Sequence, residues 1–105
     1  MVALSTVSTA ADAERIATAL VERGLAACVN VVPGVVSIYR WKGEIQRDEE
    51  LLLVIKTRTE RFEELRELLV SLHPYEVPEL IGFEIAAGHA PYLAWLDESV
   101  SEAGE

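Results

Sequence analysis

His73, Tyr75, Glu76 and Glu79 fall within one heptad, His73-Pro74-Tyr75-Glu76-Val77-Pro78-Glu79, and no other stretch of the chain gathers as much coordinating chemistry. An imidazole and two carboxylates can bind a divalent cation, and a histidine with a glutamate can act as general acid and base. Pro74 and Pro78 fix their own φ and remove two backbone donors, and they restrict His73 and Val77 to extended conformations. The heptad therefore reads as a stiff connector that presents side chains in fixed directions. The same residues also suit a plainer role. A histidine at a helix C-terminus is favoured by the helix dipole, and carboxylates on a strand edge deter wrong pairing.

Other reactive types are scattered. Cys28 follows Ala26 and Ala27, a small apolar setting that suits a buried, inert thiol, and Asn30 shares its strand face. His89 sits beside Gly88 before a helix start and reads as an exposed loop histidine. Tyr39 and Trp41 share a face near a hairpin tip and read as an interface pair. Lys56 closes an apolar strand, as a cation at a subunit boundary or as an ordinary strand-end charge. The sequence has no GxGxxG, Walker A, zinc-finger spacing or GxSxG elbow. With no evident nucleophile or oxyanion site, the expectation is a non-enzymatic protein.

The elements that must hold these residues follow from periodicity. Val2 to Val7 reads as a strand. Thr9 with Asp12 caps a helix whose stripe is Ala13, Ile16, Ala17 and Leu20, and Gly24 ends it. Ala26 to Trp41 and Ile45 to Thr57 form one long hairpin turning at Lys42-Gly43, with a bulge at Pro33-Gly34. Leu51 to Ile55 is apolar at every position, which asks for cover on both faces, one from helices and one from another subunit. Thr59 is placed as the N-cap of a second helix with Phe62, Leu65, Leu68, Leu69 and Leu72 inside, ended by Pro74. Val77 to Ala87 reads as a fourth strand. Pro91 opens a short C-terminal helix with Tyr92, Leu93, Trp95 and Leu96, and residues 101–105 read as a frayed end. The order is β-α-β-β-α-β plus a helix, an α+β ferredoxin-like arrangement.

The chain has 105 residues, predicting a single domain over 1–105. Eighteen acidic residues against 9 basic give a formal charge of −9, which argues against nucleic acid and anionic membranes and favours cations as partners. Half the residues are hydrophobic and mean hydropathy is +0.21, more apolar surface than a small monomer readily hides. A single cysteine permits no intrachain disulfide. Asp12 and Glu14 interrupt any leader pattern, and no apolar run is long enough to span a bilayer, so the expectation is a cytoplasmic protein.

Five blocks in order resemble the CutA (CutA1) divalent-cation tolerance proteins: Leu25 to Gly34, Ser37 to Glu44, Ile55 to Thr57, His73 to Glu79 and Tyr92 to Leu96. The resemblance implies a ferredoxin-like protomer in a PII-like homotrimer, hairpins reaching across neighbours, and tolerance of Cu2+ or other divalent cations. It implies His73 as a metal ligand, with Glu79 added from proximity. Ser5 stands where enterobacterial members carry a copper-binding cysteine, and Leu72 where they carry the first of two histidines. The alternative it leaves open is a PII-like signalling or small-ligand-binding trimer, whose subunit cleft holds Lys56, His73, Tyr75 and Glu79.

Overall fold

The computed structural model describes residues 1–100. Along them run β1 (Val2–Val7), α1 (Ala10–Glu22), β2 (Cys28–Trp41), β3 (Glu44–Lys56), α2 (Phe62–Leu72), β4 (Ile81–Phe83) and α3 (Ala90–Ser99). The strands form one antiparallel sheet in the order β2-β3-β1-β4. This is the α+β order expected for a ferredoxin-like chain.

Local chemistry sets the ends of α1. The Thr9 hydroxyl accepts the Asp12 N–H over 3.1 Å, an N-cap. At the other end Gly24 takes φ +68°, a conformation open to glycine. Its N–H reaches the Val21 carbonyl and that of Leu25 the Leu20 carbonyl, the paired bonds of a Schellman motif. Leu25 and Ala26 are spent on this cap, which is why β2 starts at Cys28 and not at Ala26. One face of the sheet then buries Ala3, Val7, Leu53 and Ile55 against Ile16, Leu20, Leu65 and Leu69 of the helices.

Two elements differ from expectation. Thr59 does not cap α2. The chain enters that helix through a 3-10 turn, Thr59–Arg61, and the Thr59 hydroxyl donates to the Glu84 carboxylate over 3.1 Å. The fourth strand is only three residues long. Its end pairs are Leu4 with Ile81 and Val2 with Phe83; beyond Phe83 the partner strand has ended, and Pro78 has no N–H to give a ladder.

The hairpin turns through Lys42 at φ +50° and Gly43 at φ +81°, the two positive φ values of a type I′ turn. Midway, Pro33 and Gly34 together oppose Leu51, because Val32 pairs with Leu52 and Val35 with Glu50. That extra residue changes the parity of β2. Before it, Cys28, Asn30 and Val32 face away from the helices; after it, Val35, Ser37, Tyr39 and Trp41 do. The bulge therefore puts Tyr39 and Trp41 on the same face as Leu52 and Val54. Helices leave that face uncovered: Leu52 and Val54 are half-buried, and Ile81 and Phe83 are about half exposed, at 48% and 51%.

Candidate functional site

His73 ends α2 in extended backbone. Its ring is buried and both nitrogens are engaged by main chain. Nδ1 accepts the Tyr75 N–H over 3.2 Å, so Nε2 carries the proton and donates to the Thr6 carbonyl over 2.8 Å. In this arrangement neither ring nitrogen keeps a free lone pair. It clamps the proline loop to β1 two residues beyond the last β1–β4 pair, and packs edge-on against Tyr75 at 4.6 Å between ring centroids.

The clamped loop folds over the helix-free face and closes one side of a cleft of about 810 Å³. Across it the Tyr75 hydroxyl donates to Glu50 Oε2 over 2.6 Å, and the Tyr39 hydroxyl donates to Asp48. Burial, then the bond to Glu50, pushes the Tyr75 phenol well above its ordinary value. Burial and then the Glu50 charge also raise the Glu79 carboxyl, which marks these two carboxylates as electrostatic neighbours. The bond to Asp48 raises the exposed Tyr39 phenol. Thr6 and Ser8 supply hydroxyls at the floor, and Trp41 an apolar wall.

The structure divides the residues expected at the site. Tyr75 and Glu79 line the cleft together with Tyr39 and Trp41, whereas His73 lies behind the wall and Lys56 lies elsewhere. Lys56 is the partner of Val2 and Cys28 at the far end of the sheet, where its ammonium bonds the Asn30 amide oxygen. Cys28 is half-buried there, not enclosed as its apolar neighbours suggest. His89 is exposed at the start of α3. Ser5 is fully buried on the helix side of β1, and its hydroxyl has no partner among the described residues. It faces away from the cleft. Leu72 is half-buried at the end of α2.

Glu50 and Asp48 were not legible as site residues. On a hairpin arm rich in charge nothing local separates them from carboxylates that stay in water. One signal was present: by strand alternation both share a face with Leu52 and Val54, the side that lacks helices. Among the described residues no group of three or more His, Cys, Asp or Glu stands close enough to hold a metal ion. The cleft thus offers hard oxygen donors in ones and twos, with Glu50 and Glu79 the adjacent pair. No helix among the described residues is long and apolar enough to cross a membrane.

Known proteins share both this sequence and this fold. The family model for the CutA1 divalent ion tolerance protein matches residues 1–99. The divalent-cation tolerance protein CutA of Thermus thermophilus is 54% identical over 98 residues, spanning 93% of this chain and 95% of that protein. A CutA homolog of Xenopus laevis is 52% identical over 90 residues, 86% of this chain but only 60% of the longer relative. The solved structure of the Thermus thermophilus divalent cation tolerance protein superposes with a TM-score of 0.93, at 53% identity over 95% of this chain and 97% of that one.

Proposed function

This chain belongs to the CutA1 divalent ion tolerance family, and from that premise we propose that it serves divalent-cation tolerance without catalysis, as a homotrimer that binds cations at its carboxylate cleft. The observation that carries the reading is Glu50. It is 7% exposed, and no cationic side chain lines the cleft beside it among the described residues. A largely buried carboxylate whose one protein donor is the neutral Tyr75 hydroxyl favours positive charge that reaches it. Glu79, at the cleft mouth, is the second donor. Carboxylate oxygens are the usual ligands of Mn2+, Mg2+ and Ca2+, whereas protein sites selective for copper add imidazole or thiolate, which this cleft lacks among the described residues. His73 enters the reading at one remove: to ligate copper it must first give up the Tyr75 N–H, and in its present place it positions the loop that carries Tyr75 and Glu79.

The homotrimer is supported by the uncovered apolar face and the hairpin that extends past it. A site with more than two donors draws on a neighbouring copy. Calorimetric titration of Mn2+ and Cu2+ into wild type, Glu79→Gln and His73→Gln tests the reading. It expects saturable heat for Mn2+ that weakens several-fold in Glu79→Gln. Identical isotherms for wild type and Glu79→Gln would remove the cleft from cation binding, and loss of Cu2+ heat in His73→Gln alone would return the site to the histidine.

A second reading has its own observation. The cleft is far larger than a bare ion, within the ordinary range for small-molecule sites of ~300–1,000 Å³, and it has aromatic walls. It supports a small-ligand module of PII-like architecture with the ligand at the subunit boundary.

A further inference from the structure

Two buried side-chain polar atoms have no partner among the described residues, Ser5 Oγ and Arg61 Nε. Ser5 is sealed in the core at 0% exposure, out of reach of any ligand. Arg61 borders open space. Its side chain is 8% exposed. Nη1 donates to Glu64 Oε1 over 2.6 Å and Nη2 to Glu64 Oε2 over 3.0 Å, an end-on fork that uses one edge of the guanidinium. The other edge pairs Nε–H with the remaining Nη2 hydrogen, and it offers the same two parallel donors. A buried donor left without an acceptor costs its full desolvation, so such groups are rarely left unfinished. This edge matches a second carboxylate.

Arg61 lines a groove of about 370 Å³ between the end of α1 and the start of α2, together with Arg23, Leu25, Glu64, Glu67 and Leu68. None of these residues belongs to the sheet, whose helix-free face is the one a neighbouring copy covers. Arg23 and Glu67 are exposed, one charge of each sign, and among the described residues neither enters an ion pair. We propose that this groove binds a free α-amino acid with an aliphatic side chain. Its carboxylate lies on the Nε edge of Arg61 and on Arg23, its ammonium on Glu67, and its side chain against Leu25 and Leu68. Nε is closed to water, so the carboxylate enters as the Glu64 side chain, 52% exposed, turns outward. Glu64 and Glu67 repel a multiply charged anion, and an amine alone leaves Arg61 unfinished. A zwitterion answers both signs. The site is separate from the carboxylate cleft and independent of the cation reading.

Leucine, isocaproate and isoamylamine share an aliphatic body and differ in charge: zwitterion, carboxylate only, ammonium only. Each is titrated into the isotope-labelled full chain and followed by nitrogen–proton NMR at the Arg61 Nε–H, identified by its loss in Arg61→Lys. Leucine is expected to shift this resonance saturably, isocaproate to shift it with weaker affinity, and isoamylamine to leave it in place. Read at the Leu68 backbone N–H, leucine binding should weaken about tenfold in Arg23→Gln, which removes one charge-assisted contact, and at least as much in Arg61→Lys, which keeps the charge and lacks the two-donor edge. Arg23 is exposed, so Arg23→Gln alone decides the point if thermal melting shows Arg61→Lys to be unfolded. Isocaproate binding as tightly as leucine overturns the role of Glu67 and with it the zwitterion. Isoamylamine moving the Arg61 resonance as leucine does overturns the carboxylate seat. No shift with any of the three leaves Nε to a water molecule and overturns the site. Leucine binding undiminished in the folded variants places it elsewhere and overturns the assignment to Arg23 and Arg61.

Discussion

The Tyr75 hydroxyl is the one donor among the described residues that reaches Glu50, so its removal isolates a buried carboxylate. A hydrogen bond to a charged group contributes roughly 1.5–3 kcal/mol, and the partial exposure of Tyr75 puts Tyr75→Phe at the lower end, with a loss of about 1.5 kcal/mol in urea denaturation. In a Glu50→Gln background the loss should shrink, because the acceptor is no longer charged. Equal losses in both backgrounds would show that the bond does not depend on the charge. At this scale the sequence was half legible. The prolines made the His73–Glu79 loop visible as a rigid presenter, and Tyr75 and Glu79 do line the cleft. Glu50 lies 25 residues from Tyr75 in sequence, and nothing local distinguishes a carboxylate that a distant loop will cover from one that stays in water. His73 is hard to read for a related reason: its type suggests ligation, and only the fold shows both nitrogens engaged by main chain.

The hairpin is the element that makes the cleft. Its I′ turn and its bulge together bring Tyr39 and Trp41 to the side where the proline loop lands. Gly43 has φ +81° and no atom within 4 Å of where a Cβ would sit, so Gly43→Ala tests backbone conformation alone. The left-handed penalty for a residue with Cβ is about 1–2 kcal/mol, and thermal denaturation should show a loss of that order. An unchanged melting temperature would mean that the turn relaxes without cost. The long periodic elements were readable because helix stripes and strand runs are local signals: Ala13, Ile16, Leu20, Leu65 and Leu69 all lie inside as expected. The fourth strand was over-read, from Val77 to Ala87 against Ile81–Phe83, because strand length depends on where the partner ends. Thr59 was misassigned because a hydroxyl before an acidic turn resembles a cap, whereas Glu84 across the fold is its actual acceptor.

The protomer as a whole is longer than its size requires. Its radius of gyration is 14.3 Å, against about 13 Å for a compact domain near this length, and the excess belongs to the projecting hairpin. Ile38 and Ile45 near the tip are 70% and 64% exposed, and at the other end of the sheet the helix-free face leaves Ile81 and Phe83 about half exposed. Exposed apolar surface of this extent marks interfaces. Sedimentation of the chain should therefore give the mass of three copies, and Phe83→Asp should dissociate them. A wild type that sediments as 11.6 kDa would refute the trimer. The central claim, that cations are held by cleft carboxylates and not by His73, is tested most directly by a crystal grown with Mn2+ and its anomalous difference map. The account predicts a peak in each protomer against Glu50 and Glu79. A peak on the His73 imidazole, or an empty cleft beside peaks elsewhere, would contradict it.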